Sequence, residues 1–145
     1  MGILHYSDRQ RGIVFVVWNG KVTWDEWRQH IHQLLADPDW RTTTRFLVDL
    51  QTVTDTSSIG DREIEEVRSV FAGDQAALEG KRAAIIALDE FRRASRFAEF
   101  IERFSRSAIV FNHLDTACLF LDIDLGEARQ VLDQLRLQLR GSAGS

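Results

Sequence analysis

Uninterrupted runs of apolar residues are the feature of this sequence that most limits how it folds. Residues 13–18, 46–48, 83–88 and 108–111 are rich in Val, Ile, Ala, Leu or Phe, and an Asn or Asp follows each run. A strand with one wet face alternates apolar and polar residues, whereas an unbroken apolar strand is buried on both faces. Both faces of such a sheet need a covering layer, so the pattern predicts an α/β protein.

The segments between these runs have the apolar spacing of helices that pack on a sheet. In the first segment, Trp24, Trp27, Ile31, Leu34 and Leu35 recur at spacings of 3 and 4. A capping box, Thr23-x-x-Glu26, precedes this pattern, and Pro38 follows it, so one helix is predicted between them. Further helices are predicted at residues 64–73, 74–79, 89–104, 114–121 and 127–139.

The order of these elements predicts a single domain. A short strand at residues 3–6 is predicted to precede a turn at residues 8–12, and Asn19-Gly20 is a second turn signal. The predicted order is ββαβαβαβαα, in a mostly parallel sheet of four to five strands covered by helices. We expect residues 1–140 to form this domain and residues 141–145, which are Gly, Ser and Ala, to be a flexible tail.

Composition and charge exclude several classes of function. The 145 residues contain 18 Lys and Arg against 22 Asp and Glu, a net charge of −4 that disfavours nucleic acid or an anionic membrane as partner. The longest apolar run in the sequence, residues 13–18, is too short to span a bilayer. One cysteine, Cys118, excludes an internal disulfide framework and indicates a cytoplasmic location.

The carboxyl edge of the predicted sheet is where a binding site is expected. Parallel strands end at the same edge, and ligands of open α/β sheets bind there. We expect Asp49 to end its strand and to point toward a polar loop at residues 51–60. The polar residues brought to this edge are Asp49, Thr56, Ser57, Ser58, Asp89, Arg92, Asn112 and His113.

The hydroxyl-rich stretch at residues 55–60 allows two interpretations. It lies between a predicted strand and a predicted helix, where a Ser or Thr hydroxyl caps free backbone amides. The same amides hold anions, so a phosphoryl group on Ser57 or Ser58 would be tolerated there and would alter a partner interface. The sequence does not decide between helix capping and a phosphorylation switch.

No pattern of metal ligation or cofactor binding is found in the sequence. His30 and His32 are two positions apart on a predicted helix, so their rings face different sides and we expect both to be exposed. His5 and His113 have no neighbours at a recognised ligand spacing. No phosphate-binding loop, dinucleotide fingerprint or hydrolase elbow is found, and no cofactor is predicted.

Cys118 and the four tryptophans are interpreted as core residues. Cys118 lies in an apolar segment, unlike the polarised, partly open surroundings that a catalytic thiol needs. Trp18, Trp24, Trp27 and Trp40 all fall in the first 40 residues. Core packing beneath the first helix is the interpretation we adopt for them, with a ligand-stacking surface as the alternative.

Three segments resemble the SpoIIAA-like branch of the STAS-like superfamily, whose fold is related to anti-sigma-factor antagonists and CRAL-TRIO domains. Residues 20–27 are similar to its strand-to-first-helix segment, residues 46–50 to its central strand ending in Asp-Leu, and residues 110–117 to its late strand and helix. Residues 55–60 resemble the D-S-S-G-x-G phosphorylation loop of the antagonists. Thr56 occupies the position usually phosphorylated, Asp55 and Ser57 match, and Ser58 replaces a glycine.

This resemblance implies a non-catalytic bacterial module that regulates by binding. Its partner would be a protein, or a small apolar or anionic ligand, held at the carboxyl edge of the strands, with Thr56 and Ser57 as phosphorylation candidates. A homodimer is expected if the terminal helix leaves its apolar stripe bare; the stripe consists of Val131, Leu132, Leu135 and Leu139. The alternative is a small enzyme that uses His113 with Asp49 or Asp89.

Overall fold

In a computed structural model, the described residues of the chain form one five-stranded sheet. The structure describes residues 2–72, 82–86 and 109–143, and the element labels refer to these residues. The elements are β1 (Ile3–Asp8), β2 (Ile13–Lys21), α1 (Trp24–Ala36), a 3₁₀ helix (Pro38–Thr42), β3 (Arg45–Asp55), α2 (Asp61–Ala72), β4 (Arg82–Ile86), β5 (Ile109–Phe111), α3 (Leu114–Leu121) and α4 (Leu125–Ala143).

The sheet has mixed orientation. The strands lie in the order β1-β2-β3-β4-β5. β1 and β2 form an antiparallel hairpin, whereas the pairs β2–β3, β3–β4 and β4–β5 are parallel. The predicted α/β class is confirmed. The helices predicted at residues 74–79 and 89–104 lie outside the described residues.

Two apolar layers cover the two faces of the sheet, as the unbroken apolar strands predict. Alternate residues of β2 point to opposite faces. Val14, Val16 and Trp18 pack with α1 and α2, and Phe15 and Val17 pack with α3 and α4. The sheet is therefore the middle layer of three.

The terminal helix α4 packs on this sheet through its predicted stripe. Leu132, Leu135 and Leu139 are buried, and Val131 is partly buried against the same cluster. The stripe is therefore covered within one chain, and the condition under which we expected it to form a homodimer is not met. The helix continues to Ala143, through the first three residues of the predicted tail.

Asn19 and Gly20 do not form the predicted turn, because they lie inside β2. The pairing of β2 with β3 shifts register between Val17 and Asn19 and again between Gly20 and Lys21. Gly20 has a φ of +65°, a left-handed conformation that glycine adopts without steric cost. Its conformation therefore bends a paired strand, where the sequence predicted that it reversed the chain.

The predicted capping box of α1 is formed in half. The Glu26 amide donates to Thr23 Oγ1 at 3.3 Å, as expected. The Glu26 carboxylate instead accepts from the Gly2 amide at 2.6 Å, and the Gly2 carbonyl accepts from the Asn19 amide at 2.8 Å. A Cβ at Gly2 would lie only 2.6 Å from the Lys21 carbonyl, so this contact between β1, β2 and α1 requires glycine.

Candidate functional site

The extension of β3 separates the predicted edge residues into two groups. Asp49 pairs with Ile86 of β4, which in turn pairs with Phe111 at the end of β5. β3 continues to Asp55, and at about 3.3 Å per residue this carries it about 20 Å beyond Phe111 along the strand direction. The loop at residues 56–60 therefore belongs to the β2–β3 side of the sheet, away from the end of β5.

This loop is tied to the fold at three points. Asp55 Oδ1 accepts from the Ser57 amide at 2.9 Å, and the Ile59 amide donates to the Thr56 carbonyl at 3.0 Å. The Ile59 side chain is buried in the core under α1 and α2. Ser57 and Ser58 are exposed, whereas Thr56 is half-buried. The loop thus presents two serines on a backbone that its own hydrogen bonds hold in place.

The loop caps α1, not the helix that follows it. Ser58 Oγ accepts from the Trp24 amide in the first turn of α1 at 2.9 Å. The loop reaches α1 because β2 and β3 are neighbours, and the Val22 amide donates to the Asp55 carbonyl at 2.9 Å. At the start of α2, the Gly60 amide donates to Glu63 Oε2 at 3.0 Å. The capping interpretation is therefore right about the chemistry and wrong about the helix.

We expect Ser58→Ala to lower the free energy of unfolding by about 0.5–2 kcal/mol, because it removes the acceptor for the Trp24 amide. Ser57→Ala, one residue away and exposed, is the matched control and is expected to change stability by about 0.5 kcal/mol or less. Urea unfolding at neutral pH measures both. Equal stability of the two variants would show that Ser58 is not a cap.

The charges around the loop are mainly negative. Hydrogen bonds from the Ser57 amide and hydroxyl, and the charge of Lys21, lower the pKa of Asp55. The first turn of α1 contains Asp25 and Glu26, and that of α2 contains Asp61 and Glu63. Such carboxylates already occupy the favourable positions at the two helix N-termini. The surface therefore attracts cations and repels small anions.

Asn112 and His113 form the second group, at the end of β5. Both are exposed, and His113 is the N-cap residue of α3, although its imidazole makes no capping hydrogen bond. Its carbonyl accepts from Thr116 Oγ1 at 2.8 Å. The other residues predicted for this edge, Asp89 and Arg92, lie outside the described residues.

The prediction that Asp49 ends its strand is wrong, because residues 51–55, predicted as the start of the polar loop, continue β3. Asp49 lies inside β3 with no exposed surface. One carboxylate oxygen accepts from the Gln51 amide at 2.9 Å, and the other is paired with Arg136 of α4. Burial raises the pKa of Asp49, while Gln51 and the positive charge of Arg136 oppose that rise.

Arg136 is the partner of Asp49 that the sequence analysis missed. Its side chain is 16% exposed and also contacts Asp133 on the same helix, Nη1 to Oδ1, at 2.8 Å. The available signal was its position beside Leu132, Leu135 and Leu139, because a charge next to an apolar stripe needs a partner. The hydrogen bonds of Asp49 go to Gln51 and Arg136 and none joins it to His113, so the structure does not assemble that proposed catalytic pair.

His30 is buried, and the prediction that it is exposed is wrong. Its side chain lies on the inner face of α1, between Trp27, Ile31 and Leu34, and it is 7% exposed. Its Nε2 lies 3.1 Å from Nδ1 of His5 on β1. His32 is exposed on the opposite side, so the two rings do face different sides. Within the described part of the chain, no group of three or more His, Cys, Asp or Glu residues is placed to bind a metal ion.

The core interpretation of the cysteine and the tryptophans is confirmed. Cys118 is buried against α4, and burial is the main cause that raises its thiol pKa to about 11. Trp18, Trp27 and Trp40 are buried, and Trp24 packs against the same cluster. No helix in the described ranges is both long and apolar enough to cross a membrane.

These elements define a SpoIIAA-like fold, which confirms the resemblance seen in the sequence. The crystal structure of an uncharacterised protein of the DUF3478 family, from Shewanella loihica PV-4, has this fold and is similar to the present chain. The two are 17% identical, with a TM-score of 0.52 over 83% of this chain and 94% of that chain. No family model and no curated protein matches the sequence.

Proposed function

We propose that this chain is a regulatory module that binds a protein partner through its loop surface. We define the loop surface as residues 55–60 together with the first turns of α1 and α2. The observation that carries the proposal is the loop itself, which exposes Ser57 and Ser58 on a backbone held by Asp55, Trp24 and the buried Ile59. A fixed, exposed loop binds without a large ordering cost, which favours recognition by a protein.

The charge of the loop surface supports a partner that is basic where it docks. Asp25, Asp55 and Asp61 carry negative charge around the two serines; the Asp25 side chain is 76% exposed and pairs with Arg28 Nη2 on the same helix at 3.4 Å. Opposite charges across an interface speed association and select the partner. A small anionic ligand is disfavoured at the same place, because it would approach these carboxylates.

Phosphorylation of Ser57 would regulate this interface. Between the two candidates, Ser57 is exposed and Thr56 half-buried, so a kinase reaches Ser57 more readily. A phosphoryl group there would lie beside the Asp55 carboxylate, which now holds the Ser57 amide. Like-charge repulsion would open this turn, whereas the core under the loop would stay packed. The fold would survive and the loop surface would change shape.

A photocrosslinking amino acid placed at position 57 or at position 112 tests the location of the interface. Both positions are exposed, and they represent the loop surface and the end of β5. In lysate of the native host, we expect a specific adduct from position 57 and none from position 112. Since Coulomb attraction is screened by salt, the yield should fall as ionic strength rises.

Charge variants of the same two positions supply the controls. We expect Ser57→Glu to reduce the adduct captured by a crosslinker at position 62, an exposed position in the first turn of α2, with little change in melting temperature. Asn112→Glu adds the same charge at the end of β5 and should leave that adduct intact. A specific adduct from position 112 alone, or equal loss with both variants, would refute the proposed surface.

A further inference from the structure

Two histidines join the edge strand β1 to α1. His5 Nδ1 and His30 Nε2 are 3.1 Å apart, within hydrogen-bond distance, and the rings meet edge to face with centroids 4.9 Å apart. His30 is buried among the apolar residues of α1, whereas His5 is half-buried on β1. One ring nitrogen must donate and the other must accept, so the contact requires an imidazole with a free lone pair.

Few charges surround this pair. Glu26, one turn before His30 on α1, is bound to the Gly2 amide. Asp37, beyond the end of α1, accepts from Ser7 Oγ at 3.4 Å, and its charge favours a proton on His5. The β2 residue opposite His5 is Val16, which is apolar. Among these neighbours, Asp37 is thus the carboxylate whose charge raises a pKa of the pair, and it acts on His5, the more exposed of the two rings.

We propose that His5 and His30 form an acid-released clasp between β1 and α1. A first proton is accommodated on His5, near Asp37, because a charged His5 still donates to neutral His30. A second proton leaves two N–H groups facing each other, with no acceptor between two positive rings. The buried ring has no water to replace the lost partner, so acid loosens the contact between the two elements.

The electrostatics of the pair have the same direction. Burial lowers the pKa of His30 to about 3, with the charge of His5 adding to the effect, and burial also lowers the pKa of His5. Unfolded histidines titrate near pH 6.5, so below that pH the unfolded chain binds more protons than the folded chain does. Stability is therefore full above about pH 7 and falls as the pH decreases. By this linkage, His30 alone should raise the unfolding constant about 30-fold at pH 5.

The test compares the pH dependence of unfolding in the full chain and in histidine variants. Urea unfolding at pH 8 and pH 5 measures the unfolding constant of each chain. Acid should raise this constant by a factor of about 30 in the unaltered chain through His30, and His30→Gln should lose that factor. His32→Gln, on the exposed side of the same helix, should keep it. If His30→Gln does not fold, His5→Gln serves as the second variant, and it should lose part of this change. Equal pH dependence in all the folded variants would overturn the proposal.

Hydrogen exchange locates the effect. Between pH 7 and pH 5, after correction for intrinsic exchange, amides of β1 and of α1 around His30 should lose protection before those of α4. His32→Gln should give the same pattern. A uniform loss across β1, α1 and α4 would show that acid destabilises the fold generally and would also refute the clasp.

Discussion

Arg136→Met is expected to lower the free energy of unfolding by about 3–5 kcal/mol. The substitution removes the positive partner of Asp49, a carboxylate that has no exposed surface. Asp49 then either stays as an unpaired buried charge or takes up a proton, and both cost stability. Its remaining hydrogen bonds come from Gln51 alone, and they supply no positive charge. Urea unfolding at pH 7 measures the loss, because the unaltered chain is expected to unfold as a single cooperative unit.

The double variant Asp49→Leu with Arg136→Met separates the cost of an orphaned charge from the worth of the pair. Removing both charges leaves no buried group without a partner, so we expect it to be more stable than Arg136→Met alone. Asp133→Ala is the matched control, since it removes the exposed carboxylate on the other side of Arg136. Its effect should be about 1 kcal/mol or less. Additive losses in the double variant would contradict the buried pair.

Leu132→Ala is expected to cost about 2–5 kcal/mol, since it leaves a cavity between α4 and the sheet. Leu132 has no exposed surface and packs in the cluster that contains Phe15, Val17 and Leu47. Leu137→Ala is the control on the same helix, because that side chain is 63% exposed. It should change stability by about 0.5 kcal/mol or less. Similar losses at both positions would mean that α4 does not dock by the face seen here.

Much of the fold could be predicted from the sequence because its signals are local. Residues 13–18 are apolar without interruption, and such a run is stable only where both faces are covered. The capping residue Thr23 and the breaker Pro38 bound α1, and the observed helix, Trp24–Ala36, lies between them. The stripe on α4 has a helical period and is buried as expected. In each case the pattern that predicts the element lies within, or directly beside, the residues that form it.

The errors occur where a distant segment determined the outcome. Asn19-Gly20 is a turn signal in isolation, but β3 continues alongside β2 and pairs with both residues. Asp49 was expected to end a strand because a charge follows three apolar residues. Arg136, 87 positions later in the sequence, supplies the partner that allows the carboxylate to stay inside. Neither partner is identifiable before the chain is folded.

The candidate site divides in the same way. The sequence alone determined that residues 55–60 are rich in hydroxyls and follow a buried strand, because these are properties of the residues themselves. The tertiary structure decided that Ser58 caps α1, that the loop lies far from Asn112 and His113, and that His30 meets His5. The physical reason is that hydrogen bonds and buried charges are satisfied by whichever groups the sheet order brings within about 3 Å, and that order depends on the whole chain.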